Sequence, residues 1–302
     1  MEKKMKVLNI GSLNIDKVYQ VEHFVQAKET IKALGYAENS GGKGLNQSVA
    51  LAKAGAETYH AGSVGSDGGM LLNILKEAGA DTELIKLSKE PTGHAIIQVE
   101  GNGQNCIMIC GGANDDVSKE DIDKAISVFE KGDVLLLQNE ISNLDYAIEK
   151  GHEKGLMVIL NPSPISEGLK KCRLDLVDMF ILNEVEGQAL TGVSAEDPEG
   201  IGEGLKKAFP DAAFVLTLGD KGSMYIKGDE VYTQDIFKVK AVDTTAAGDT
   251  FSGYFIAGMA KGSGPKENLR QAAAASAIAV SRPGAAPSVP TAEEVKEFLE
   301  NR

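Results

Sequence analysis

Three cysteines are too few, and too poorly placed, to brace or metallate a chain of 302 residues. Cys106, Cys110 and Cys172 form no close pairs, and Cys106 with Cys110 lacks the further Cys or His ligands that a zinc site needs. They read as reduced thiols, which suits a cytoplasmic protein. Basic residues are also scarce: 31 against 44 acids leave a net charge of −13, which repels nucleic-acid backbones and anionic membranes. Nucleic-acid partners are therefore disfavoured, while a small anion can still bind where helix N-termini outweigh a distant field. No segment reaches the roughly 18 uncharged apolar residues of a membrane helix, and Val7 to Ile10 is too short for the apolar part of a signal peptide.

Familiar catalytic signatures are missing too. Gly42-Lys43 is followed by Gly44 rather than Ser or Thr, so there is no P-loop; G-x-G-x-x-G and G-x-S-x-G do not occur, and His23, His60, His94 and His152 form no zinc-binding pair. Lone histidines of this kind are usually surface or packing residues. What remains is ordinary globular stock, 42% apolar and 25% charged, long enough for two domains or one large one with an elaboration.

Periodicity predicts a strand at Lys6 to Ile10, strand-like pieces up to Glu38, and a helix from Leu45 to Gly55 behind the glycine loop 40–44. A strand at Thr58 to Val64 and a helix at Gly69 to Ala78 follow. Strands at Thr92 to Val99 and Asn105 to Ile109 flank a hairpin-like turn, Glu100-Gly101-Asn102-Gly103. Beyond Asp115, helices at Lys119 to Glu130 and Leu144 to Lys154 alternate with strands at Val134 to Leu137, Met157 to Leu160 and Met179 to Leu182. Strands at Phe214 to Leu218, Ser223 to Ile226 and Glu230 to Phe237 precede helices near Thr250 to Ala260, Lys266 to Ser281 and Thr291 to Glu300. Such alternation with apolar strands implies parallel βαβ units. The expected architecture is one α/β unit over 1–302 with a small β element inserted from roughly 12–38 and 92–109.

The segment richest in chemistry is Val242 to Phe251. Small residues at Ala246, Ala247 and Gly248 let backbone N–H groups approach an anion at a helix N-terminus. Asp249 at its rim is either a proton acceptor for an alcohol or simply a helix cap, and spacing alone favours neither.

Taken together, Gly11-Ser12-Leu13-Asn14-Ile15-Asp16, Gly41 to Gln47, Asn183-Glu184-Val185-Glu186, Thr217 to Gly222 and Asp243 to Asp249 resemble the ribokinase-like (PfkB) carbohydrate kinases, in order and along essentially the whole chain. One departure is Ala246-Ala247-Gly248-Asp249 where many members have Gly-Ala-Gly-Asp. The resemblance implies a three-layer α/β/α sandwich whose β insert acts as a lid and often as a homodimer contact. It implies ATP-dependent phosphorylation of the primary hydroxyl of D-ribose, with deoxyribose, a ketohexose or a nucleoside as other substrates of the family and a catalytically silent sensor as a further alternative. A nucleoside fits less well, since aromatic residues make up only 5% of the chain.

By the same resemblance, Asp249 is the base and the backbone of Ala246, Ala247 and Gly248 the anion hole. Asn14, Asp16, Gly42, Lys43, Asn46 and Glu140 match sugar-binding positions; Asn183, Thr217, Gly219 and Gly222 match nucleotide-binding ones. Glu186 organises Mg²⁺ through water. Asp243 and Ser288, with the carbonyls of Thr245, Ala279, Arg282 and Gly284, match a K⁺ site. Without the resemblance, Asn14 and Asp16 read as turn residues, Lys43 as a solvated helix start, Glu186 as a first-turn acid and 282–288 as a loop between helices.

Overall fold

The computed structural model describes residues 5–302. In chain order its strands are β1 (Val7–Ile10), β2 (Asn14–Val21), β3 (Gly35–Gly41), β4 (Thr58–Val64), β5 (Asp81–Leu87), β6 (Gly93–Glu100), β7 (Asn105–Cys110), β8 (Val134–Gln138), β9 (Met157–Asn161), β10 (Met179–Asn183), β11 (Ala213–Thr217), β12 (Ser223–Lys227) and β13 (Glu230–Gln234). The helices are α1 (Lys43–Lys53), α2 (Gly69–Ala78), α3 (Lys119–Ser127), α4 (Leu144–Lys154), α5 (Glu184–Thr191), α6 (Pro198–Ala208), α7 (Ala247–Ala260), α8 (Pro265–Val280) and α9 (Ala292–Glu300).

The larger sheet runs β13-β12-β11-β10-β9-β8-β1-β4-β5. It is parallel from β11 to β5, with β12 and β13 antiparallel at one edge. Most of its interior strands, β8 to β11 among them, are largely apolar on both faces because helices cover both. In β8, all five residues are buried: Val134 and Leu136 join one core, Leu135 and Leu137 the other. Side chains of α1, α2, α7, α8 and α9 close the first core, and those of α3, α4 and α6 the second. The result is the expected three-layer α/β/α arrangement.

The smaller sheet, β3-β2-β6-β7, pairs β2 antiparallel to β3 and parallel to β6, and β6 antiparallel to β7. It draws on 14–41 and 93–110, close to the expected insert, although residues 22–34 between β2 and β3 contain no strand. Three elements escape the sequence patterning. β5 is a half-polar edge strand without a fully buried face, and α5 is only eight residues long. In α6 the glycines at 200, 202 and 204 hide the helical signal, yet Asp197 caps it, Pro198 opens it, and Ile201 with Leu205 is buried.

Strand β1 decides where ligands can sit. The chain adds β4 and β5 on one side of β1 and later returns to place β8 on the other. A parallel sheet with such a reversal opens a crevice beyond the C-terminal ends of the two strands. Into it run the turn after β1, the turn after β8 and the start of α1.

Candidate active site

Helix α7 begins without a side-chain cap. Ala246 takes its N-cap position in the left-handed region, at φ 58°, and no side chain satisfies the first N–H groups. The Ala247 N–H donates to the Thr244 carbonyl at 3.2 Å, while those of Gly248 and Asp249 have no partner among the described residues. They open onto a cavity of about 240 Å³ whose lining includes Lys43, Asn183, Glu186, Thr217 and Ala246 to Asp249. Unpaired N–H groups and the helix dipole together make that end of the cavity a site for negative charge. The two readings of Asp249 separate here. Its carboxylate does not cap α7; it reaches across to α1, accepting from Asn46 Nδ2 at 3.1 Å and Gln47 Nε2 at 2.9 Å.

The start of α1 fits only because position 42 is glycine: its φ is 92°, and a Cβ there would lie 2.9 Å from the Ser12 carbonyl. Glu140, from the turn after β8, accepts through Oε2 from Ser12 Oγ at 2.5 Å and from the Lys43 backbone N–H at 3.1 Å. Burial pulls the Lys43 ammonium down, but the charges of Asp249, Glu140 and Glu186 outweigh it and raise its pKa above the ordinary lysine value. Lys43 is therefore a firm cation among three carboxylates. Asp16 on β2 behaves oppositely: burial, reinforced by Glu140, lifts its carboxyl to about 6. Asn14 Oδ1 accepts from Asn114 Nδ2 at 2.7 Å, and Asn114 also holds the Leu13 backbone N–H. Asn46 Oδ1 is buried with no protein partner, an acceptor left for a ligand donor.

Asn183 and Glu186 cap each other. The Asn183 side chain accepts from the Glu186 N–H at 2.9 Å and Glu186 Oε2 from the Asn183 N–H at 3.0 Å, the reciprocal box that opens α5. Glu186 is thus a helix-start acid, as its position alone suggested, and it also lines the cavity. Thr217 ends β11 beside it, and Gly219 and Gly222 bound the single turn leading into β12.

A loop behind α7 gathers the last group. Asp243 accepts from the Thr245 N–H and the Gly284 N–H, each at 2.9 Å. The Arg282 N–H donates to the Ala279 carbonyl at 3.0 Å, and buried Ser288 donates to the Ala285 carbonyl at 2.7 Å. No group of three or more His, Cys, Asp or Glu residues placed to hold a metal ion exists among the described residues, so any ion here would be held by carbonyls, one carboxylate and the Ser288 hydroxyl.

Several residues at the site went unassigned by the sequence reading: Ser12, Asn114, Gln47 and Gln138. Gln138 did leave a signal, as the polar end of an otherwise apolar strand. Gln47 sat within a motif without a role.

With this geometry in hand, the chain is identified as a member of the pfkB family of carbohydrate kinases, whose pattern it matches over residues 4–292. Among individual relatives, it is 36% identical to the ribokinase of Haemophilus influenzae, with 100% of both chains covered. It is 30% identical to the deoxyribokinase of Salmonella typhi, over 98% of this chain and 99% of that one. The structure of Arabidopsis thaliana ribokinase complexed with ribose and ATP superimposes with a TM-score of 0.85 at 32% identity, covering 99% of each chain.

Proposed function

We propose that the chain transfers the γ-phosphoryl group of ATP to the primary hydroxyl of D-ribose, giving ribose 5-phosphate and ADP. The observation that carries this reading is Asp249, held by two amides at the mouth of an uncapped helix. Its carboxylate takes the proton as the hydroxyl oxygen attacks the γ-phosphorus, and the bond to the β,γ-bridging oxygen breaks. The Gly248 and Asp249 N–H groups face the charge that develops on the transferring group, and Lys43 adds a cation beside it. Asp16, Asn14, Asn46 and Glu140 supply the acceptors and amide donors that a vicinal diol requires. Asn183, Thr217, Gly219 and Gly222 border the nucleotide.

Mg²⁺ suits Glu186, which lines the cavity and whose Oε1 has no donor among the described residues; bound there, it would neutralise phosphate charge. A monovalent cation such as K⁺ suits the oxygen-only set of Asp243, Ser288 and the carbonyls of Thr245, Ala279, Arg282 and Gly284, where it would brace the loop behind the anion hole. The small sheet serves as a lid that keeps water from the phosphoryl group. Its edge strand β7 exposes Ile107, Met108 and Ile109, an unpaired apolar edge that a second copy can cover, which supports a homodimer. Free thiols and the lack of any helix long and apolar enough to cross a membrane among the described residues fit a cytoplasmic setting.

The likeness to a deoxyribokinase makes 2-deoxyribose the rival substrate. A coupled ADP-release assay with pentoses, hexoses and nucleosides decides between them. Ribose is expected to give the highest kcat/KM; faster turnover of 2-deoxyribose would transfer the assignment, and ATP consumption indifferent to sugar would end it.

A further inference from the structure

A line of buried side-chain amides runs from Asp249 into the middle of the large sheet, and none of the steps above uses it beyond Gln47. Gln47 Nε2 donates to Asp249 Oδ1 at 2.9 Å, and Gln47 Oε1 accepts from Gln138 Nε2 at 2.8 Å. The same Gln138 nitrogen donates to Asn9 Oδ1 at 3.0 Å. Asn9 Nδ2 then donates to the Gly44 carbonyl and to Ser48 Oγ, both at 2.8 Å. Asn9, Gln47 and Gln138 have no solvent exposure.

A terminal amide can be reversed with almost no change of shape, so its direction must come from its partners. Here both ends of the line only accept. The Gly44 carbonyl requires Asn9 to present its NH₂, which turns Asn9 Oδ1 toward Gln138. Gln138 must answer with Nε2, and that nitrogen also meets Gln47 Oε1. Gln47 is then left with its NH₂ toward the carboxylate. Reversing Gln138 would set its oxygen against those of Asn9 and Gln47. The protein keeps the orientation although Gln138 Oε1 is buried without a partner, which ordinarily costs stability. Gly11 makes room for the line, since a Cβ there would collide with Gln138 Oε1 and the Gly44 backbone.

We propose that Gln138 is a positioning residue for phosphoryl transfer, acting through Gln47 to aim the Asp249 carboxylate. This rests on the reading of Asp249 as the base. Misplacing a reacting group by an ångström can cost about 10²-fold in rate. Gln47→Met and Gln138→Met are therefore each expected to lower kcat by about 10- to 100-fold, with KM for ribose and ATP within about twofold. Because the second residue acts only through the first, the double variant should lie within about twofold of Gln47→Met alone.

The test measures kcat, both KM values and the melting temperature for these variants beside Asp249→Asn. Unchanged kcat in folded Gln138→Met, or losses that multiply in the double variant, would overturn the role of Gln138. Normal kcat in Asp249→Asn would instead overturn the base assignment, so the two failures are distinct. Should Gln138→Met not fold, Gln138→Glu keeps the shape: its neutral acid can donate to Gln47 and its ionised form cannot. Turnover of that variant should fall as pH rises between about 6 and 9 relative to wild type, and parallel profiles would count against the proposal.

Discussion

The two sheets are built in opposite ways. Strand β8 of the large sheet is buried at all five positions, whereas β7 of the small sheet is exposed at all six. Packing on two faces gives the large sheet and its helices few alternative arrangements, and it is on this side that Asp249, Lys43 and the unpaired N–H groups stand. The small sheet is a single layer, and Asn14 and Asp16 on it owe their placement to strand pairing and to the bond from Asn114. The contrast separates the labour of the site. Under the proposed function Asp249, which must be aimed at a reacting atom, sits on the doubly packed body, while sugar recognition is shared between that body, through Asn46 and Glu140, and the single-layer sheet, through Asn14 and Asp16.

Asp249→Asn is the sharpest test of that division. It keeps the size of the side chain but removes the proton acceptor, so kcat should fall by about 10²–10⁴ with KM for ribose nearly unchanged. A rise in KM with kcat intact would place Asp249 with recognition instead. Stability should divide the sheets as well. Leu136→Ala opens a cavity in the first core and should cost about 2–5 kcal/mol in urea unfolding, whereas Ile107→Ala on β7 should stay within about 0.5 kcal/mol for the monomer. Equal losses would mean that the small sheet is braced as firmly as the large one.

On the recognition side, Asp16→Ala should lower kcat/KM for ribose at least about tenfold more than for 2-deoxyribose, because a half-buried acceptor left unpaired by the missing hydroxyl already penalises the analogue. Equal losses for the two sugars would reduce Asp16 to a structural residue. The smallest effect concerns pH. Burial and Glu140 raise Asp16 to about 6, so the neutral acid gains ground below that pH and loses its power to accept two hydroxyls. KM for ribose should climb as pH falls through 6 while KM for ATP holds steady. The same shift makes the folded protein bind this proton more tightly than the unfolded chain, so the contribution of Asp16 to stability weakens as pH rises from about 4 to 6. Melting curves without ribose would show that slope, and Asp16→Asn should remove it.

How legible all this is in the sequence depends on the range of the interaction. Helices α2 and α4 match their predicted bounds because apolar residues recur every third or fourth position and a glycine in the left-handed region stops each one. Buried strands such as β8 and β10 announce themselves as short apolar runs. By contrast, α6 is masked by its own glycines, and β5 by the mixed polarity that an edge strand tolerates. The motifs around Gly42, Asn183 and Asp249 could be located from local composition and resemblance, yet their physical roles could not be read there.

The sequence by itself determined the alternation of helix and strand, including the individual strands β6 and β7, and the small-residue approach to α7, since each depends on residues a few positions apart. Only the tertiary structure decided that Asp249 is held by Asn46 and Gln47 rather than capping its own helix, because those partners lie 203 and 202 positions away. It likewise decided that Glu186, whose place at the start of α5 is local, faces the cavity, and that an amide at the end of β8 meets another on α1. Hydrogen bonds need their partners within about 3 Å and correctly aimed. Between distant segments that condition is met or missed by how the sheet orders its strands and how closely the helices pack on it, and no local pattern encodes either.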